Sequence, residues 1–181
     1  MKHLCKPFLL LFIGGALFSA CKNAESTSAE VSKDSSATST TVQKMDYPYN
    51  IDKPDNWEPG SQQNTMIALS ALKAWENKNL DEAMKYFADS VKAAFDGVEK
   101  MVSNDTLRAW ITPAPTIINQ SIKMQDWESV ISKDKSTEYV TLWYREYTET
   151  AKGKDSIEVV NDIKMKDGKI IGLEQYSRKL H

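Results

Sequence analysis

Between residues 61 and 181 the spacing of apolar side chains changes from helical to alternating. Ile67, Ala71, Ala74 and Trp75 recur at helical intervals, with Ser61 or Asn64 standing where a cap belongs, so a first helix is predicted. Asn79 followed three residues later by Glu82 forms a capping-box pattern, and Leu80, Ala83, Met84 and Phe87 then share one helical face. That second helix is short and is expected to end near Ala88. From there Val91, Ala93 and Phe95 alternate with Ser90, Lys92 and Ala94, the period of a strand, and Asp96-Gly97 is a turn signal. Ser103 or Asn104 opens a third helix holding Leu107, Trp110 and Ile111, which Pro113 and Pro115 stop.

Beyond Pro115 the helical period disappears. QSIKMQDWESVIS, TEYVTLWYREYTET, DSIEVVNDIKMK and GKIIGLEQYSRK are rich in β-branched and aromatic residues, and Lys-Gly-Lys-Asp and Lys-Asp-Gly-Lys separate the last three. Helices followed by a long antiparallel meander define an α+β domain. Within EYVTLWYREYTET neither face is cleanly apolar: Tyr139, Trp143 and Tyr147 share one, Val140, Leu142 and Tyr144 the other. A strand that wants burial on both faces hints at a sheet covered by a second subunit, a homodimer.

The N-terminus follows a different logic. Lys2, His3 and Lys6 precede an apolar run from Phe8 to Phe18 that ends in small residues, the layout of a secretory signal, and the run is too short to span a bilayer. Phe18-Ser19-Ala20-Cys21 resembles the lipobox of bacterial lipoproteins, although Phe18 stands where leucine is usual. The resemblance implies cleavage of a signal peptide at residues 1–20 and a lipid anchor on Cys21. Cys5 and Cys21 are the only cysteines, so a disulfide framework is excluded and the lipid membrane becomes the first expected partner. Lys22-Asn23-Ala24-Glu25 lacks the paired acids that resemble a surface-export signal, which points to the outer membrane facing the periplasm. Residues 21–44 are mostly Ser, Thr, Ala and scattered charge, with Val31 and Val42 the sizeable apolar side chains, and read as a flexible tether. Residues 45–60 hold Pro48, Pro54 and Pro59 among Tyr47, Tyr49 and Trp57 and read as an irregular strap packed on the outside of a single domain at 61–181.

Charge narrows the function. Lys and Arg total 23 against 25 Asp and Glu, a net charge of -2 with no basic block, which argues against nucleic acid. The histidines are His3, inside the signal, and His181, the last residue, so Ser-His and Cys-His catalysis and histidine metal sites are excluded from the domain. The residues imply no cofactor and no metal.

AWENKNLDEAMKYFADSVKAAFDG followed by IKMKDGKIIGLEQY resembles the NTF2-like superfamily, especially its SnoaL-like branch, over roughly residues 62 to 179, and similar domains occur in Bacteroidetes lipoproteins. The resemblance implies a cone: three N-terminal helices packed on a strongly bent, mostly antiparallel β-sheet, an apolar pocket inside, and pairing through the convex face. Ketosteroid isomerases share this fold and use a tyrosine in the first helix, an aspartate in the first strand and an acid in a later one. Counted from Phe87, those places fall on Ala71, Phe95 and Asn161, so that chemistry is not expected here. Asp96 is either a base swung inward by a bulge or simply the turn. Asn161 shares a face with Val159, Ile163 and Met165 and is either a ligand contact or a satisfied buried amide. Asp89 and Asp162 read as a strand-entry cap and a solvent-facing residue.

Trp75, Phe95, Trp110, Trp143 and Tyr176 come from elements that such a fold converges on one cavity, and with Asn161 they are the candidate ligand pocket. The alternative is that these aromatics fill the cone. Three functions stay open: a lipid-tethered, non-catalytic binding module for a small apolar ligand, a structural or interaction domain dimerising through its sheet, and an isomerase- or cyclase-like enzyme with an unrecognised site.

Overall fold

A computed structural model describes residues 48–50, 56–95 and 97–180; the segments expected to be a signal peptide and a tether, with Cys21, Asp96, His181 and the rest of the expected strap, lie outside the described residues. The described residues from Tyr49 onward form one compact unit.

Helix α1 spans Gln62–Glu76, and Ser61 takes the cap: its Oγ accepts from the Asn64 backbone N–H at 3.3 Å. The Ser61 N–H donates to Glu138 Oε1 at 2.7 Å, which ties the helix start to the sheet. Ala68, Ala71 and Ala74 are buried along one side of α1, where small side chains bring the helix backbone close to the strands. Helix α2 is Leu80–Met84, with the Asn79 side chain accepting from the Glu82 N–H at 3.1 Å. It ends earlier than its apolar face suggests. Ile170 N–H donates to Tyr86 C=O at 2.9 Å and Phe87 pairs with Ile170, so the sheet captures backbone that would have continued the helix.

Strands β2 (Phe87–Phe95) and β3 (Val98–Ser103) form a hairpin through Gly97, whose φ of +76° is one that glycine adopts without strain. β3 was not foreseen. It is an edge strand whose one buried side chain is Val102, so VEKMVS carries no alternation to read. Helix α3 (Asn104–Ile111) follows, capped by Ser103 Oγ accepting from the Thr106 N–H at 3.2 Å. The expected block of three N-terminal helices is therefore corrected: a hairpin separates α2 from α3. Asn104 Nδ2 brings them together again by donating to the carbonyls of Met84 and Ala88 at 3.3 Å each.

The remaining strands are β4 (Ile117–Ser132), β5 (Glu138–Thr150), β6 (Gly153–Lys166) and β7 (Lys169–Lys179). Part of the strap joins them. Trp57–Pro59 is a short strand, β1, antiparallel to β4, and so is regular where irregular chain was expected. Pro59 is tolerated because β1 is an edge, where a missing N–H leaves no ladder bond broken. Gly60 follows at very close approach: a Cβ there would lie 2.2 Å from Ser129 Oγ and 2.9 Å from the Val130 nitrogen. The seven-stranded sheet runs β1-β4-β5-β6-β7-β2-β3, with β2 and β7 parallel and the other neighbours antiparallel.

The core lies on the inner face of this sheet, under the helices. Val140, Leu142 and Tyr144 of β5, Val159, Ile163 and Met165 of β6 and Ile170 and Leu173 of β7 are all buried, as is Leu107 of α3. Ile170 and Leu173 share the inner side although three residues apart, because the β6–β7 register shifts between Lys164↔Gly172 and Met165↔Ile170. Such a bulge inserts one residue and inverts the alternation beyond it.

Candidate ligand-binding site

A cavity of about 260 Å³ opens between this inner face, α1 and α3. Its walls are aromatic. Trp75 comes from α1, Trp110 from α3 and Phe95 from the end of β2, and the Phe95 and Trp110 rings meet edge to face with centroids 5.9 Å apart at 86°. Trp75 Nε1 donates to the Ile111 carbonyl at 2.7 Å, which holds α1 against the end of α3. That bond uses the only donor of the indole, leaving Trp75 to offer apolar surface. Trp110 is 41% exposed and so lies where the cavity meets solvent.

The strands supply most of the polar groups. Asn161 is buried, its Nδ2 donates to Tyr144 Oη at 3.1 Å, and its Oδ1 has no partner among the described residues. Gln175 is paired across the ladder with Asn161 and also lines the cavity, as does Thr112. Burial pushes the Tyr144 hydroxyl well above the usual phenol range, with the negative charge of Glu146 adding to the effect, so it stays protonated at any physiological pH. No lining side chain carries a charge. Glu146 lies two residues beyond Tyr144 on the same side of β5 but does not line the cavity; burial raises its pKa.

Of the residues singled out in the sequence, Trp75, Phe95, Trp110 and Asn161 line this cavity together. Ala71 lines it too, so all three places counted from the isomerase pattern meet there, none with an acid or base. Trp143 and Tyr176 do not. Trp143 pairs with Val160, and Val160 with Tyr176, so the three form one row on the opposite face, where Tyr176 is 64% exposed. Alternation from the buried Ile170 would carry Tyr176 inward; the bulge at Ile171–Gly172 turns it outward. Trp143 is corrected for a different reason: its strand is apolar on both sides, and the buried side is that of Leu142 and Tyr144. Tyr144 and Gln175 were missed as site residues. Their signal is the register, since Leu142 and Gln175 flank Asn161 on neighbouring strands and Tyr144 shares the face of Leu142. Asp89 is exposed, and Asp162, half-buried on the outer face, accepts from Thr141 Oγ1 at 2.9 Å.

A second cavity of about 260 Å³ near the β5–β6 turn is lined by polar and charged side chains, Glu149, Lys154 and Asp155 among them. Among the described residues no group of three or more His, Cys, Asp or Glu is placed to hold a metal ion.

The chain has the NTF2-like fold. An NTF2-like protein of unknown function from Burkholderia pseudomallei superposes with a TM-score of 0.54 at 16% identity, covering 65% of this chain and 92% of the other. An LEH-like epoxide hydrolase of M. tuberculosis gives 0.51 at 13% identity over 65% and 84%, and a ketosteroid-isomerase-like protein of Kribbella flavida gives 0.50 at 9% over 68% and 83%. Identities this low establish the fold and nothing about activity. No protein-family model matches the sequence, and neither does any curated protein.

Proposed function

We propose that the chain is a membrane-anchored lipoprotein whose NTF2-like domain binds a small apolar ligand without transforming it. One observation carries the reading: a cavity with three aromatic walls and an uncharged lining, served by a few polar groups. That is the composition of a small-molecule site. Acid–base catalysis needs a titratable group within reach of the reacting proton, and the cavity presents Ala71, Phe95 and Asn161 where the isomerase pattern would put its groups. The anchor rests on the Phe18-Ser19-Ala20-Cys21 run behind a signal-like segment, and the site of residence on the outer membrane, facing the periplasm, rests on the residues after Cys21.

Native mass spectrometry of the protein from its own host tests the binding, with a co-purifying neutral small molecule expected. Trp110→Ala should release it. A protein that arrives empty and binds no apolar probe, or that turns over an enolisable ketone, contradicts the proposal. Cys21→Ala should abolish lipid attachment; a variant that still partitions with membrane lipid would overturn the anchor.

A second reading, pairing of two copies through the outer face, is favoured by the outward-facing row Trp143, Val160 and Tyr176, in which Tyr176 is exposed and the other two are half-buried. Light scattering should then show a dimer that Tyr176→Glu converts to monomer.

A further inference from the structure

We infer that the cavity takes an uncharged ligand with a hydroxyl group, which donates its proton to Asn161 Oδ1 and accepts one from the Tyr144 hydroxyl. This rests on the binding function proposed above and adds the chemistry that would select the ligand. Asn161 Nδ2 is committed to Tyr144 Oη, so the amide oxygen is left with both lone pairs and no protein donor. A buried acceptor in that state carries a desolvation cost that a ligand donor removes. Tyr144 accepts from Asn161, and its own proton is committed to no acceptor among the hydrogen bonds of the described residues. Held neutral by burial, it is a donor and never an anion at physiological pH. The pair therefore asks for one donor and one acceptor in the same place. A hydroxyl supplies both.

The other functional groups fit less well. A ketone or ether satisfies Tyr144 and leaves Asn161 Oδ1 unpaired; a hydrocarbon satisfies neither. A carboxylate or ammonium would be buried against a lining without a compensating charge, at a cost far above that of a neutral group. Size and shape follow from the aromatic walls. About 260 Å³ is roughly nine times the share of liquid volume of one water, enough for a compact one- or two-ring molecule. Trp75, Phe95 and Trp110 would enclose its hydrocarbon body while the hydroxyl faces the strands.

Indane, 1-indanone and 1-indanol form a matched set of probes that differ only in this group. Calorimetric titration of the full-length chain should rank 1-indanol about tenfold tighter than the other two, the ratio that about 1.4 kcal/mol gives. In Asn161→Leu, 1-indanol and 1-indanone should bind alike, since only the Tyr144 proton remains to be met; in Tyr144→Phe the alcohol should keep its lead over the ketone. The wild-type ranking needs no variant, so poor folding of either substitution leaves it decisive. If the ketone or the hydrocarbon binds wild type as tightly as the alcohol, the inference is overturned while the binding function stands. If none of the three binds, both fall.

Discussion

The two faces of β5 carry similar side chains and meet opposite fates. Val140, Leu142 and Tyr144 are 0%, 0% and 2% exposed, whereas Tyr139 and Trp143 are half-buried and Tyr147 is 39% exposed. Composition does not separate them. The neighbouring strand does, because β6 is apolar on one side, at Val159, Ile163 and Met165, and largely charged on the other, at Glu158, Asp162 and Lys164, and the ladder sets Leu142 beside Asn161. On the inner side Tyr144 finds one hydrogen bond in a buried site. On the outer side Arg145 reaches Glu158 at 3.3 Å and Arg178 reaches it at 2.8 Å, a charged network around a half-buried Glu158. An aromatic on this strand is thus core or surface according to its parity, and register decides which.

The two faces differ most sharply at adjacent positions of β5. Leu142→Ala should cost about 2–5 kcal/mol, since its side chain is fully packed. Trp143→Ala should cost about 1 kcal/mol or less in a monomer, despite the larger side chain removed. Urea melts of the two variants check this, and equal losses would show that the outer face is covered as well. Next in size, Gly60→Ala should destabilise by about 1–3 kcal/mol, because its Cβ would press on Ser129 and on the Val130 backbone where β1 meets β4. Trp57→Ala should cost about 0.5–1.5 kcal/mol for the loss of its edge-on contact with Tyr139, 6.0 Å between centroids. If both leave the melting temperature unchanged, β1 is no part of the folding unit.

The smallest effect is a pH slope. Glu146 has its pKa raised by burial, so the folded state holds its proton more tightly than the unfolded state does. Stability linked to this group is greatest below its ordinary value near 4.5 and is lost as pH rises from there through the raised folded value. Glu146→Gln should remove that decline and so gain on wild type between pH 4 and pH 7 in thermal melts. A constant offset across that range would mean that Glu146 titrates normally.

Much of this was legible in the chain. Helical spacing with real caps at Ser61, Asn79 and Ser103 located all three helices, because each cap is a local hydrogen bond that the sequence spells out. The four long strands were equally plain. What escaped was set by partners distant in sequence. β3 buries one side chain and exists because β2 pairs with it; β1 exists because β4 offers an edge. Of the six pocket residues read from sequence, the four that line the cavity are on helices or on strands with one apolar face. Trp143 failed on a strand apolar on both faces, and Tyr176 failed beyond a bulge that no local pattern announces.

The proposed ligand binding belongs to the inner face and not to the outer aromatics. The five indole N–H groups report on both, since Trp75 and Trp110 line the cavity while Trp57, Trp127 and Trp143 do not. Titrating the ¹⁵N-labelled protein with 1-indanol should shift the Trp75 and Trp110 indole resonances and leave the other three in place. Shifts at Trp143 with Trp75 and Trp110 unmoved would place the ligand on the outer face instead.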